Sequence, residues 1–270
     1  MSDDPEGGLG GALFLGVLQG LTEFLPVSSS GHLVLFQQFF TINTDHVLFD
    51  LVLHLGTLVP VLWFYREHIG LLVKDPILGE GPFKEREGVK LLALLIAASV
   101  PTAIIGLTFE DLFERLFTNP AALTVTFALT GCILMASGIW DRSANKVALT
   151  IPLAIVLGVA QGFAITPGIS RSGTTIAVAL MLGMDREVAA RFSFLMSVPA
   201  ILGAVILKFK DADLSAIDSV QLLVGGLASM FTGYLALVLL VKLVKSGKFQ
   251  NFAWYCWGAA IVAGVLALVG

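Results

Sequence analysis

Six apolar stretches constrain this chain more than any other feature: Leu48–Tyr65, Val89–Thr108, Ala121–Trp140, Phe192–Leu207, Val220–Val241 and Ala253–Val269. At about 1.5 Å of rise per residue each covers the roughly 30 Å hydrocarbon core of a bilayer, the Phe192 stretch only just. Composition agrees: 56% of the 270 residues are hydrophobic and 13% charged, too few charges to cover a soluble surface of that size. The fold class expected is an all-α, polytopic membrane protein, one membrane domain spanning residues 1–270. The formal net charge of -4 offers no concentrated basic face for phosphate backbones, so no nucleic-acid partner is expected. Cys132 and Cys256 both sit in apolar runs and read as packed thiols. The acidic start MSDDPEGG lacks the basic region of a secretory signal, so the first apolar segment is expected to stay in the mature protein.

Two further apolar regions are broken in the middle. Leu9–Pro26 runs into Ser28-Ser29-Ser30-Gly31, after which ten residues, Gly31–Phe40, precede the polar stretch Thr41–His46. Ten helical residues reach only about 15 Å. The shape recurs as Leu149–Ala164, a Pro/Gly/Ser break from Pro167 to Gly173, and a short apolar arm ending near Met184. Both read as re-entrant helical hairpins, with irregular backbone lining a protein cavity. Shifting the chain on itself by 142 positions aligns Gly16–His32 with Gly158–Thr174, with seven identities in seventeen, concentrated on Gln, Gly and Ser. An internal duplication follows, repeat one at about 9–140 and repeat two at about 149–269. Three full spans lie between the hairpins, an odd number, so the repeats are expected to be inverted and to meet near the midplane.

Loop charge orients the chain. One side collects twelve Lys and Arg residues, from Arg66–Lys90, Arg142, Lys146, Arg186, Arg191, Lys242, Lys245 and Lys248; the other has Arg115, Lys208 and Lys210. The first side is therefore cytoplasmic and both termini lie outside. Phe109–Asn119 spaces acids among Leu and Phe as an amphipathic helix of the outer surface would.

Chemistry is expected at the breaks. Gln19 and Glu23 share a helix face, and an acid at that depth demands a partner; Glu23 reads as a metal ligand or proton acceptor. His32 follows the serine turn and suits a nucleophile or general acid/base. Arg171, the only basic residue in either hairpin, sits in Pro167-Gly168-Ile169-Ser170-Arg171-Ser172-Gly173-Thr174-Thr175. Its guanidinium fork, the hydroxyls of Ser170, Ser172 and Thr175, and the helix N-terminus that follows describe a phosphate cradle, to which Ser28 adds a donor. Asp50 and His54 lie four apart in the next span, equally suited to a buried pair or to lining the same cavity. Pro101 and Pro199, in repeated Ser-Val-Pro tripeptides, read as helix kinks.

The segments Gln19–His32 (QGLTEFLPVSSSGH) and Pro167–Thr175 (PGISRSGTT) resemble the bacterial undecaprenyl-diphosphate phosphatases of the bacitracin-resistance type, matching their (Glu/Gln)xxxGlu and PGxSRSxxT patterns. The resemblance implies hydrolysis of a polyprenyl diphosphate carrier lipid to the monophosphate plus phosphate, which recycles the carrier for cell-wall synthesis. It implies a site open to the outer face of the bacterial plasma membrane, and Glu23, Ser29, His32 and Arg171 as central residues. Gln19 stands where many relatives carry Glu, one carboxylate fewer for a divalent metal, Mg or Ca, at Glu23. On this reading Arg171 with Ser170 and Ser172 holds the diphosphate and the cation shares its charge. Three attackers are compatible: Ser29 with His32 as its base, which is slightly favoured, His32 itself, or water activated by His32. The alternative is a lipid-phosphate or small-anion transporter or flippase without hydrolysis, because inverted repeats with broken helices also build transporters.

Overall fold

The computed structural model describes residues 5–40, 42–117, 119–214 and 217–269; residues 1–4 of the acidic start, Thr41 of the first polar stretch and Thr118 of the amphipathic segment lie outside them. Among the described residues the chain forms α-helices and short 3-10 turns. The helices are α1 (Pro5–Phe24), α2 (Ser29–Gln37), α3 (His46–Phe64), α4 (Arg66–Leu78), α5 (Glu87–Thr108), α6 (Glu110–Phe117), α7 (Pro120–Ile139), α8 (Ile151–Phe163), α9 (Arg171–Met181), α10 (Arg186–Lys208), α11 (Ser219–Lys245) and α12 (Phe252–Val269).

Six regions, built on α3, α5, α7, α10, α11 and α12, are long and apolar enough to cross a membrane, in the places the apolar stretches mark. The protein is a multi-span membrane protein. Helix starts follow side-chain caps. Asp45 accepts from Leu48 N at 2.9 Å to open α3, Asn119 precedes Pro120 of α7, and Asp218 accepts from Val220 N at 3.0 Å to open α11. The Phe192 stretch is longer than its apolar run. Asp185 accepts from Glu187 N at 2.9 Å and starts α10 six residues earlier, and the charged first turns with Arg186, Glu187 and Arg191 conceal that extension from hydropathy alone.

α1 and α8 each stop where the sequence breaks, ahead of Pro26 and Pro167, and α2 and α9 restart from Ser28 and Ser170 as caps. The glycines shared by the two halves hold equivalent posts. Gly16 and Gly20 lay α1 against the backbone of α11 around Gly225, Ser229 and Gly233. Gly158 and Gly162 lay α8 against Ala98, Pro101 and Ile105 of α5. A Cβ at any of these four would collide with the facing helix, which is how small residues let helices pack closely where the hydrophobic effect no longer drives association. Phe24, Val61, Ile176, Phe192, Phe194 and Leu237 form the central core, with the Phe24 and Phe194 rings 5.7 Å apart, edge to face. That core ties the end of α1 to α3, α9, α10 and α11, and so fixes where the residues after Phe24 point.

Pro101 and Pro199 lie inside α5 and α10. Both cysteines are free thiols. Cys256 is packed, but Cys132 is exposed, contrary to the expectation of two packed thiols, because its side of α7 faces away from the bundle. Glu110 and Glu114 of α6 face Lys208 of α10, which pairs with Glu114 and lies 3.5 Å from Glu110.

Candidate active site

The two helix breaks touch each other. Ser28 has φ 68°, a left-handed conformation unusual for a residue with a side chain. Its Oγ holds it there by accepting from Gly31 N at 3.4 Å, across its own turn, and from Gly168 N at 3.1 Å, across to the second break. Gly168 has φ 85° and lies against Thr126, where a Cβ would collide. Thr130 of α7 completes the joint: its hydroxyl donates to Gly168 O at 2.8 Å and accepts from Ser170 N at 3.2 Å. The turn starting α2 and the turn starting α9 are thereby locked face to face, and their first side chains are brought onto the end of α1.

Glu23 is the centre of what results. It is 7% exposed. Its Oε1 is paired with Arg171 Nη2, and its Oε2 accepts from Ser29 Oγ at 2.5 Å and from Gln19 Nε2 at 3.1 Å. His54 Nε2 stands 3.9 Å from the same oxygen. Three residues, one each from α1, α2 and α9, and a fourth from α3 thus meet on a single carboxylate. Arg171 is the first residue of α9, which explains why a lone arginine in an apolar hairpin reaches an acid 148 positions earlier.

The remaining hydroxyls have protein partners. Ser170 Oγ caps α9 by accepting from Gly173 N at 3.0 Å. Ser172 Oγ donates to Phe24 O at 2.9 Å, and Thr175 Oγ1 donates to Arg171 O at 2.8 Å and lies 2.6 Å from Ser193 Oγ. Of the expected cradle, Arg171 meets Glu23, while Ser28, Ser170, Ser172 and Thr175 brace the turns that carry it.

His32 lies within the same break, but Ser29 does not bond to it; the serine hydroxyl goes to Glu23. Both ring nitrogens of His32 have other partners, Nδ1 at 2.7 Å from Ser28 O and Nε2 at 2.8 Å from Tyr255 Oη, with the Phe127 ring set edge-on 5.2 Å away. The Asp50–His54 pair divides. His54 Nδ1 donates to Asp50 O at 2.8 Å and turns Nε2 toward Glu23, whereas the Asp50 carboxylate accepts from Gln37 Nε2 at 2.5 Å.

Sequence reasoning missed Tyr255 and Thr130. Both lie in unbroken apolar helices, α12 and α7, and neither carries a motif of its own; only the fold brings them to the breaks. A largely apolar cavity of about 300 Å³ lies elsewhere, between α5, α6, α8 and α10, lined by Thr102, Gln161, Ile165, Pro199 and Gly203 among others, and it includes none of the Glu23 cluster.

Among the described residues, no three His, Cys, Asp or Glu side chains gather in a group that could hold a metal. Glu23 and Gln19 do offer a smaller set of hard oxygen donors. The Gln19 side-chain oxygen is buried and has no hydrogen-bond partner, one helical turn before the carboxylate. A divalent cation that completes its shell with phosphate oxygens and water needs only one or two protein oxygens, so these two residues fit one that arrives with a phosphate ligand.

The chain matches the family described as bacitracin resistance protein BacA over residues 12–262. It is 45% identical over 265 residues to a protein of Carboxydothermus hydrogenoformans named undecaprenyl-diphosphatase, covering 96% of this chain and 97% of that one. Proteins of the same name from Halothermothrix orenii (40% over 259 residues, 94% of this chain, 96% of that one) and Methanobrevibacter smithii (38% over 275 residues, 96% of each) are similarly close.

Proposed function

Because the chain belongs to the bacitracin resistance protein BacA family, we propose that it is an undecaprenyl-diphosphate phosphatase, which hydrolyses the carrier lipid diphosphate to the monophosphate and inorganic phosphate. The observation that carries the reading is the Ser29 hydroxyl donating to Glu23 at 2.5 Å while Arg171 pairs with the other oxygen of the same carboxylate. A nucleophile, its proton acceptor and a bidentate phosphate ligand stand within one contact of each other.

The residues divide the work as follows. Arg171 turns from Glu23 to the diphosphate, where its fork binds two oxygens and neutralises the charge that builds up on the phosphoryl group. Ser29 Oγ attacks the terminal phosphorus as its proton passes to Glu23. The bond from that phosphorus to the bridging oxygen breaks, and the electron pair leaves with the lipid monophosphate. Water then attacks the phosphoserine, phosphate departs, and Ser29 recovers its proton from Glu23. His54, with Nε2 3.9 Å from Glu23, lines the same site. Glu23 and Gln19 would hold a divalent cation, Mg or Ca, which would supply further charge neutralisation for the phosphoryl group.

The two broken helix pairs are re-entrant hairpins of inverted repeats. Supporting this are the glycines at matched positions of α1 and α8 and the short lengths of α2 and α9, nine and eleven residues. The excess of Lys and Arg on one side supports a cytoplasmic position for that side and a site toward the outer face of the plasma membrane. Release of phosphate from undecaprenyl diphosphate by the detergent-solubilised protein tests the function. Saturable binding of the lipid without phosphate release would overturn it in favour of a carrier.

A further inference from the structure

His32 is 3% exposed, and its immediate partners leave no nitrogen free. Nδ1 lies 2.7 Å from the Ser28 carbonyl oxygen, which only accepts, so Nδ1 carries the proton and Nε2 of the neutral ring carries the lone pair. The group 2.8 Å from Nε2 is the Tyr255 hydroxyl, which must therefore donate. The phenol ring also lies nearly parallel to the imidazole, 17° between planes, while Phe127 closes another side. Tyr255 itself is 51% exposed. A buried histidine thus meets its surroundings through a half-exposed phenol.

The phenol is anchored in that place. Three consecutive residues of α12 bind the first hairpin and its support: Tyr255 to His32, Cys256 Sγ donating to Pro26 O at 3.4 Å, and Trp257 Nε1 donating to Ala128 O of α7 at 3.3 Å. The first turns of α12 are fitted to the histidine, not merely near it. Ser29 already has Glu23 for a proton acceptor, so the step still lacking a base is the attack of water on the phosphoserine.

We propose that Tyr255 is the catalytic residue through which His32 takes the proton of that water. As the water oxygen bonds to phosphorus and the bond from phosphorus to Ser29 Oγ breaks, the water proton passes to Tyr255 Oη and the phenol proton passes to His32 Nε2, leaving an imidazolium. The imidazolium returns the proton through the same phenol to the departing phosphate or to solvent. This rests on the hydrolytic function proposed above, and the experiment separates the two.

Rapid quenching of Tyr255→Phe with undecaprenyl diphosphate labelled on its terminal phosphate reads each step. Expected are a burst of lipid monophosphate stoichiometric with enzyme, accumulation of phosphoserine at Ser29, and turnover lowered about 100-fold, as for loss of a general base. His32→Ala should behave alike, and the double variant should be no slower than His32→Ala, because the two act as one unit. Wild-type turnover in Tyr255→Phe overturns the relay, and so does lost turnover with neither burst nor phosphoserine. Should Tyr255→Phe fail to fold, 3-fluorotyrosine at 255 keeps the hydrogen bond and makes the phenol more acidic. A displaced pH–rate profile is then expected, and an unchanged one overturns the relay. If the wild-type protein releases no phosphate at all, the hydrolytic function fails instead.

Discussion

Arg171 and Glu23, 148 positions apart, form a single ion pair at the meeting point of the two helix breaks. Neither charge is affordable alone among apolar helices, since breaking a buried pair by removing one partner costs about 3–5 kcal/mol. In the mechanism proposed above the pair would poise the site: an arriving diphosphate would compete with Glu23 for the guanidinium, and Arg171 would leave only when another anion replaced the carboxylate. Arg171→Lys keeps the charge and loses the fork. Its turnover should fall about 100-fold, the scale of losing one oriented donor to a transition-state anion. Phosphate release by the folded variant is the measurement; near-normal turnover would remove the bidentate role.

Glu23→Gln tests the other partner. The amide can neither take the Ser29 proton nor balance Arg171. Hydrolysis and its response to added Mg or Ca should vanish together, while the nearly isosteric side chain keeps the α1–α2 turn in place. Retention of full rate with the same metal response would make Glu23 a structural bridge only.

The serines of the two breaks should separate by role. Ser29→Ala removes the group bonded to Glu23 and should abolish the covalent intermediate along with turnover. Ser170→Ala removes the α9 cap and should cost about 1 kcal/mol of stability, with turnover of the folded protein within about threefold of wild type. Thermal unfolding and turnover measured on both variants decide the matter. Equal catalytic losses would return Ser170 to the phosphate cradle.

How much of this was visible beforehand follows from what each residue needs. The six spans could be read because lipid imposes length and apolarity on each helix independently, and the breaks because Pro, Gly and Ser interrupt that signal. Glu23 and Arg171 stood out since a charge inside an apolar run is costly wherever it points. The direction of each hydroxyl could not be read. Ser29 and Ser30 are adjacent and identical in type, and only the turn at Ser28, held open by Gly168 N from the other break, selects Ser29 for Glu23. Ser172 and Thr175 read as ligand donors, and the sequence does not reveal that Phe24 O and the Ser193 hydroxyl lie beside them. Tyr255 gave no signal, since a tyrosine near a helix end in an apolar protein is ordinary; its role depends on the α12 register relative to α2.

Gly168→Ala should weaken the joint between the breaks. The position has φ 85°, and an added Cβ would meet the Thr126 side chain. Strain of that backbone type alone is worth about 1–3 kcal/mol. A lower unfolding temperature in detergent is expected, together with reduced turnover as Ser28 and Ser170 drift apart. An unchanged unfolding temperature would mean the two turns are held mainly by the helices that flank them.

Gln19→Glu addresses the cation. The glutamine oxygen is buried without a partner, and its amide nitrogen donates to Glu23. A carboxylate here puts two negative groups one helical turn apart while Arg171 pairs with only the Glu23 one, and like charges that close favour a cation. The variant should bind Mg or Ca more tightly, reaching half its maximal rate at a metal concentration about tenfold lower than wild type requires, a change of about 1.4 kcal/mol. Without added metal it should be less stable than wild type, because the glutamine hydrogen bond to Glu23 is replaced by repulsion. Titrating phosphate release against metal, beside thermal unfolding with and without metal, reads both effects. An unchanged metal requirement with stability lost equally in both conditions would place the cation away from Gln19.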